Sequence, residues 1–257
     1  MHHLRYTQMS LAVAILLALA PGLVADERSD RERTKRIECL IELLASKNQA
    51  PVIRGNARRG EDQTISFPKD YDRSLQVPVY LAVKELLAEE EAAMDLLLTH
   101  DSDERYSFST NSYIDRNVTV SEACEWIARQ KLLAFEPELH VITRSQFGLY
   151  PTDANDSLKT WWTSNKQRGL ANLQIEALDA AIKFMATVDG ATAPPWHPQA
   201  SRIPVDTFNR HRDANVQTLK AIRQYIVATG APYRAKTLDD AHECFFGLPW
   251  TGRRHNK

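Results

Sequence analysis

The sequence predicts an all-α protein, and three observations favour that fold class. Apolar residues recur at the i, i+3, i+4 and i+7 spacing of one-faced helices along most of the chain. A Thr-x-x-Glu capping box at Thr119 and Glu122 marks one helix start, and Gly230 marks a helix end. Strand signals are few, because only residues 64–67 and 140–143 look extended and neither has a hairpin turn of the Asn-Gly or Asp-Gly kind beside it.

The N-terminus has the anatomy of a signal peptide. A modestly positive start with Arg5 precedes the unbroken apolar run Leu11 to Ala20, and Pro21-Gly22 then breaks any helix. This run is shorter than the about 20 residues needed to cross a bilayer, so we expect no stable membrane span after signal removal. We expect cleavage after Ala25 and a secreted or periplasmic mature chain. The alternative is an apolar N-terminal helix docked on the core.

The remaining helices are predicted from apolar stripes and end signals. Ile37, Leu40, Ile41 and Leu44 form the first stripe, and the acidic run at 89–91 favours a fresh helix start beside the positive end of a helix dipole. The capping box opens the fourth helix, and Gly230 closes the long helix before it. The predicted helices span residues 29–47, 76–87, 89–99, 120–133, 158–165, 170–188, 206–228 and 238–246.

Long polar segments and one proline-rich stretch divide the chain. Residues 54–74, 100–118 and 134–153 are longer than the connections usual inside a compact domain, and long loops often carry function. The predicted organisation is a signal peptide (1–25), a helical-repeat body (26–190), a proline-rich linker (191–204) and a C-terminal helix pair (205–257).

A weak internal repeat refines the predicted fold. Glu42-Leu43-Leu44-Ala45 recurs as Glu85-Leu86-Leu87-Ala88 at an offset of 43, and more loosely as Lys131-Leu132-Leu133-Ala134 after a further 46 residues. Both offsets lie within or near the about 40 to 47 residues of HEAT and armadillo units. Each copy is expected to end a helix, and the first two to precede a second short helix. The pattern predicts a HEAT-like αα-superhelix, with an irregular helical bundle as the alternative.

The run from Ala82 to Tyr106, with its short acidic turn between two apolar stretches, resembles a degenerate HEAT-like repeat. The remainder, including residues 111–116, Trp161-Trp162 and residues 173–177, is similar to uncharacterised exported helical proteins of environmental bacteria. This resemblance covers at most residues 29–187 and carries no catalytic motif. It implies an αα-superhelical fold and leaves the function open.

Composition and motifs exclude several function classes. Lys+Arg 32 against Asp+Glu 33 leaves a formal net charge of -1, without the basic footprint of a nucleic-acid binder. Phosphate-binding glycine loops, Gly-x-Ser-x-Gly, His-Glu-x-x-His and Cys-x-x-Cys are all absent, so we expect no cofactor. Cys39, Cys124 and Cys244 allow at most one disulfide, and their state is left open. Because Cys39 and Cys124 fall on apolar helical stretches, we expect both to be buried thiols.

One constellation could hold a metal ion. In an extended segment alternate side chains share a face, so Glu136, Glu138 and His140 could meet one divalent cation. No second cluster with matched spacing completes the ligand set, and a solvated loop is the alternative that we favour.

Two groups of aromatic and charged residues could contact a partner. Tyr113, Asp115 and Arg116 precede the capping box, and Trp161-Trp162 opens a helix at positions about 100° apart. Tyr, Trp and Arg concentrate binding energy at protein interfaces. The alternatives are that Arg116 pairs with a nearby carboxylate and that both tryptophans are buried between helices. We therefore predict an extracytoplasmic helical scaffold or protein-binding module, with a secreted or periplasmic hydrolase as the alternative. The partner is expected to be a protein, and the sequence leaves the oligomeric state open.

Overall fold

Helices make up most of the described structure, as predicted. The computed structural model of the protein describes residues 29–55, 63–89, 91–110, 116–133, 157–187, 204–234 and 245–246. Within these ranges, none of the helices combines the length and the apolar character that crossing a membrane requires. The predicted signal peptide and most of the predicted linker lie outside the described residues.

Seven helices and five short strands follow one another along the described chain. They are α1 (residues 29–43), β1 (Val52–Arg54), β2 (Thr64–Ser66), α2 (Val77–Ala88), α3 (Ala92–Leu97), β3 (Tyr106–Thr110), β4 (Arg116–Thr119), α4 (Val120–Leu133), α5 (Leu158–Asn165), α6 (Leu170–Thr187), α7 (Val205–Thr229) and β5 (Phe245–Phe246). The first seven predicted helices are confirmed to within four residues at either end.

The predicted end signals are confirmed in atomic detail. The Thr119 N–H donates to Glu122 Oε2 at 3.0 Å, and the Glu122 N–H donates back to Thr119 Oγ1 at 3.2 Å. Gly230 takes a left-handed conformation with φ 66° and donates its N–H to the Ile226 carbonyl at 2.8 Å. These contacts satisfy backbone groups that a helix end leaves without intrahelical partners.

The strands correct the prediction at two places. Segment 100–118, expected to be a polar loop, contains β3 and β4, which pair antiparallel with a register shift between Tyr106 and Phe108. The helix predicted over 238–246 is wrong at its end, because Phe245–Phe246 pair with β3 to complete a sheet of order β4-β3-β5. Residues 238–244 lie outside the described residues. The extended segment predicted at 64–67 is confirmed as β2, which pairs with β1.

Two hydrophobic clusters share helix α6. The first unites α1 to α5 and the β3–β4 hairpin with Leu170 and Leu173 at the start of α6. The second lies between α6 and α7 and contains Leu178, Met185 and Ile222. Helix α7 therefore packs directly on the body that precedes it.

The repeat expectation is confirmed in one part and wrong in another. Its three copies lie at the ends of α1, α2 and α4, as expected. The second copy is followed by the short helix α3, but the first is followed by β1. The expected helix pair is therefore missing after the first copy.

The two described cysteines differ in exposure. Cys124 is buried, as predicted, whereas Cys39 is exposed, so the expectation of a buried Cys39 is wrong. Cys39 follows the buried Ile37 by two residues, about 200° around the helix, and so lies on the outward side of α1. Cys244 lies outside the described residues.

Candidate functional site

Arg116 begins strand β4 and makes a surface ion pair. Its Nη1 donates to Glu122 Oε1 at 3.2 Å, and 56% of the Arg116 side chain remains exposed. Glu122 is the capping-box carboxylate, so one side chain serves both the helix start and Arg116. The geometry thus matches the alternative in which Arg116 pairs with a nearby carboxylate. Tyr113 and Asp115, the other candidates of this group, lie outside the described residues.

The tryptophan pair joins α5 to α3. Trp162 is only 2% exposed and donates its indole N–H to Asp95 Oδ1 at 2.8 Å, while Trp161 is partly buried against the first cluster. Burial by itself would raise the pKa of Asp95, but hydrogen bonds from Lys166 and Trp162 outweigh it and hold the pKa below its ordinary value. Trp162 therefore has a structural role, and its buried side chain is not available to a partner. No described contact joins the tryptophan pair to Arg116.

Behind the hairpin lies a network of hydroxyl and amide groups that the sequence reading did not find. The Tyr106 hydroxyl lies 3.0 Å from Ser109 Oγ and 3.4 Å from the Tyr71 hydroxyl. Ser109 Oγ donates to Asn117 Oδ1 at 2.7 Å, and Asn117 Nδ2 donates to the Pro51 carbonyl. Burial raises the pKa of Tyr106 far above its ordinary value, so its phenol stays protonated. The network ties strands β3 and β4 to Pro51, directly before β1, and to Tyr71.

The only sequence signal for this network was the alternation of aromatic and serine residues from Tyr106 to Ser109, which is typical of a strand. Two buried polar atoms nearby in the chain, Gln76 Oε1 and Ser107 Oγ, make no hydrogen bond in the described structure. Neither atom belongs to a residue that lines the two described cavities.

A buried lysine closes the end of helix α2. Lys131 is 6% exposed, and its ammonium donates to the carbonyls of Leu86 at 3.1 Å, Leu87 at 3.3 Å and Glu89. The Glu89 carboxylate in turn pairs with Arg36 at 3.0 Å on α1. These contacts hold α1, α2 and α4 in one junction.

The cleft beside Lys131 is too small for a substrate. Its volume is about 30 Å³, which fits roughly one water molecule, whereas ligand pockets are usually ten times larger or more. Gln174 links two residues that line the cleft: its amide accepts from the Tyr233 N–H at 2.8 Å and donates to the carbonyls of Tyr233 and Lys131. This polar junction is held by its own internal hydrogen bonds.

The metal constellation cannot be placed. Glu136, Glu138 and His140 lie outside the described residues. Within the part of the chain that the structure describes, no group of three or more His, Cys, Asp or Glu side chains is arranged to hold a metal ion.

Two exposed leucines lie on the surface formed by α1 and α2. These helices run antiparallel, because Arg36 pairs with Glu85 at 2.5 Å while Gln76 Nε2 reaches back to Ser46 Oγ at 2.6 Å. Leu43 follows Arg36 by two turns and Leu81 precedes Glu85 by one turn, so both lie on the same side as the ion pair.

Leu43 is 47% exposed and Leu81 is 52% exposed. The rises of the two helices place them within about one turn of each other along the pair. We call this surface the outer face, and it consists of Lys35, Arg36, Cys39 and Leu43 on α1 and Leu81 and Glu85 on α2. A signal for it was present in the sequence, because Leu43 falls outside the core stripe of its helix.

Comparison with known proteins identifies no relative of this chain. Neither a family model, nor a curated protein, nor a solved structure matches this chain significantly.

Proposed function

We propose that the protein is an extracytoplasmic helical scaffold or protein-binding module whose partner docks on the outer face. The observation that carries this proposal is the pair of exposed leucines, Leu43 and Leu81, on one surface. Support for the location comes from the signal-peptide anatomy of residues 1–25. A near-neutral charge argues for a protein partner rather than a nucleic acid.

The surroundings of the leucines favour binding over a purely structural role. Apolar side chains that cluster at a surface and are bordered by charges mark interaction sites more often than single exposed leucines do. Arg36 and Glu85 border the leucines and are each more than half exposed. The outer face therefore has an apolar centre and a charged rim, as protein interfaces do.

The proposal includes the HEAT-like arrangement of the helices. In its favour, α4 contacts α6 and α6 contacts α7, so these three helices form a packed series, although α5 lies between α4 and α6 in the chain. Helices α6 and α7 run antiparallel, because Arg223 pairs with Asp179 at 2.5 Å while Gln174 holds Tyr233 beyond the end of α7. Stacked antiparallel helices are what such a superhelix requires.

Site-directed photo-crosslinking in an exporting host tests the proposal. A benzophenone side chain at position 43 should produce one discrete protein adduct in the extracytoplasmic fraction, and Leu81→Glu should abolish it. The matched control carries the benzophenone at Val227, which is 58% exposed on α7. Equal adduct formation at positions 43 and 227, or an adduct insensitive to Leu81→Glu, contradicts binding at the outer face. Recovery of Met1 in the extracytoplasmic protein contradicts the signal peptide.

The alternative proposal, a secreted or periplasmic hydrolase, is supported by Glu136, Glu138 and His140 alone. Elemental analysis of the purified protein tests it. A stoichiometric divalent metal that is lost in Glu136→Gln and retained in Glu122→Gln would favour the hydrolase. Metal-free protein after incubation with zinc or calcium would contradict it.

A further inference from the structure

We propose that the outer face binds a second copy of this chain, with the two α1 helices antiparallel about a two-fold axis at Cys39 and joined there by a disulfide. The inference rests on the proposed function, because it names the partner of the outer face and assumes an oxidising compartment. Three observations lead to it: the order of charges along α1, the spacing of its outward side chains, and the small area that one helix can bury.

Basic and acidic side chains are distributed unevenly along α1. Residues 30–36 contain four basic and two acidic side chains, whereas residues 37–43 contain two acidic and no basic side chains. If a second α1 lay antiparallel to the first, the mainly basic residues 30–36 of each copy would lie beside the acidic residues 37–43 of the other.

Contacts within one chain compensate only part of this arrangement. Arg33 pairs with Glu89 at 3.5 Å, Arg36 pairs with Glu85 and Glu89 on or beside α2, and Glu42 pairs with Arg105 at 2.8 Å. Lys35 and Glu38 are exposed and make no ion pair within the described part of the chain. Arg36 and Glu42 themselves remain more than half exposed. Lys35, Glu38 and the exposed parts of Arg36 and Glu42 therefore remain accessible to a partner.

The outward side chains have the spacing of a two-helix seam. Lys35, Cys39 and Leu43 follow one another at intervals of four residues on the exposed side of α1. When two antiparallel copies meet with Cys39 at the axis, residue 35 of one faces residue 43 of the other, and residue 36 faces residue 42. Lys35 and Arg36 then border Leu43 and Glu42 of the second copy, so the aliphatic stem of Lys35 can cover Leu43 while the basic groups lie near Glu42. The same patch serves both copies, as a two-fold interface requires.

One α1 helix offers too little surface for a stable dimer without a covalent link. The described part of helix α1 is about 22 Å long. Contacts along one such helix, even with Leu81 added, bury less than the about 1,200 Å² of a stable interface, so the reduced dimer should be weak. An exposed Cys39 at the axis lets two thiols react with one glutathione disulfide. The products are the Cys39 to Cys39 disulfide and two molecules of reduced glutathione, so electrons and protons balance.

The experiment compares disulfide dimer formation at Cys39 with that at an equally accessible control cysteine. Purified full-length protein carrying Cys244→Ser is incubated in a glutathione redox buffer, and non-reducing electrophoresis follows the dimer. The control carries Cys39→Ser with Lys220→Cys, which presents a cysteine at an exposed position on α7. Each rate is divided by the same protein's rate with iodoacetamide, which corrects for differences in thiol reactivity.

We expect the normalised dimerisation rate at Cys39 to exceed the control by about tenfold or more, because association raises the effective thiol concentration. Lys35→Glu should reduce the rate several-fold, and Lys220→Glu should leave it unchanged. Equal normalised rates at positions 39 and 220, or no effect of Lys35→Glu, would overturn the proposal. If position 43 crosslinks to a different protein and the normalised dimerisation rates at positions 39 and 220 are equal, the partner is not a second copy, but the proposal of a binding module is retained. If position 43 gives no adduct and Cys39 dimerises no faster than the control cysteine, both the self-association and the binding module are contradicted.

Discussion

Replacement of Lys131 by methionine should destabilise the protein strongly. Its ammonium donates to the carbonyls of Leu86, Leu87 and Glu89 at the end of α2. Methionine keeps the apolar stem and the packing but removes the donor. The last carbonyls of a helix have no intrahelical partner, so in the variant they lose the group that satisfies them.

The magnitude follows from the balance of bonds and burial. Each hydrogen bond from a charged donor contributes about 1.5–3 kcal/mol, and three such bonds are lost. Removing the ammonium also removes the cost of its desolvation, and the cleft beside Lys131 can admit roughly one water molecule to the freed carbonyls. We therefore expect a loss of about 2–4 kcal/mol in the free energy of unfolding. For a chain of this size that corresponds to a fall in Tm of roughly 10 °C.

Urea unfolding followed by far-UV circular dichroism measures this change. Lys220→Met is the matched control, because Lys220 is exposed on α7 and its replacement should stay within about 0.5 kcal/mol of the parent. A Lys131→Met variant that unfolds at the same urea concentration as the parent, or at a higher one, refutes the reasoning. In that case the desolvation of the ammonium would cost as much as its three bonds contribute.

Three further predictions concern helix ends and the buried thiol. Thr119→Ala removes the acceptor of the Glu122 N–H and should lower the free energy of unfolding by about 1 kcal/mol in the same assay, whereas Thr163→Ala on the exposed side of α5 should change it less. Gly230→Val places a β-branched residue at φ 66° and should cost more than about 1 kcal/mol, so an unchanged urea midpoint contradicts the left-handed cap. Burial raises the pKa of Cys124 to about 12. Its folded thiol should therefore resist iodoacetamide at pH 9 while Cys39 reacts, with peptide mass spectrometry as the readout. Stability from this neutral thiol is present below its unfolded pKa and is lost as the pH rises from about 9 toward 12.

Local sequence determined the helices and their ends. Apolar periodicity and capping involve residues within about four positions of one another, so they can be read along the chain without knowledge of its neighbours. This is why the bounds of α4 and α5 agree with the prediction and why the Thr119 and Glu122 capping box forms as expected. The left-handed Gly230 belongs to the same class, because only the local backbone requires it.

Tertiary structure decided what the sequence left open. Strand β3 pairs with β5, which lies more than 130 residues later in the chain. No turn motif in the sequence predicts the pairing of β3 with β4. The exposure of Cys39 and the burial of Lys131 depend on which helix packs against each side of α1 and α4.

The candidate partner residues show the same limit. In the sequence, Arg116 and Trp162 are both large side chains close to a helix start. In the structure, Arg116 remains on the surface, whereas Trp162 is buried against α3. The physical reason is that burial and hydrogen bonding are satisfied by distant groups. Asp95 lies 67 residues from Trp162, and the Leu86 carbonyl lies 45 residues from Lys131. A pattern read along the chain therefore finds the helices, and only their packing determines which polar side chains remain available to a partner.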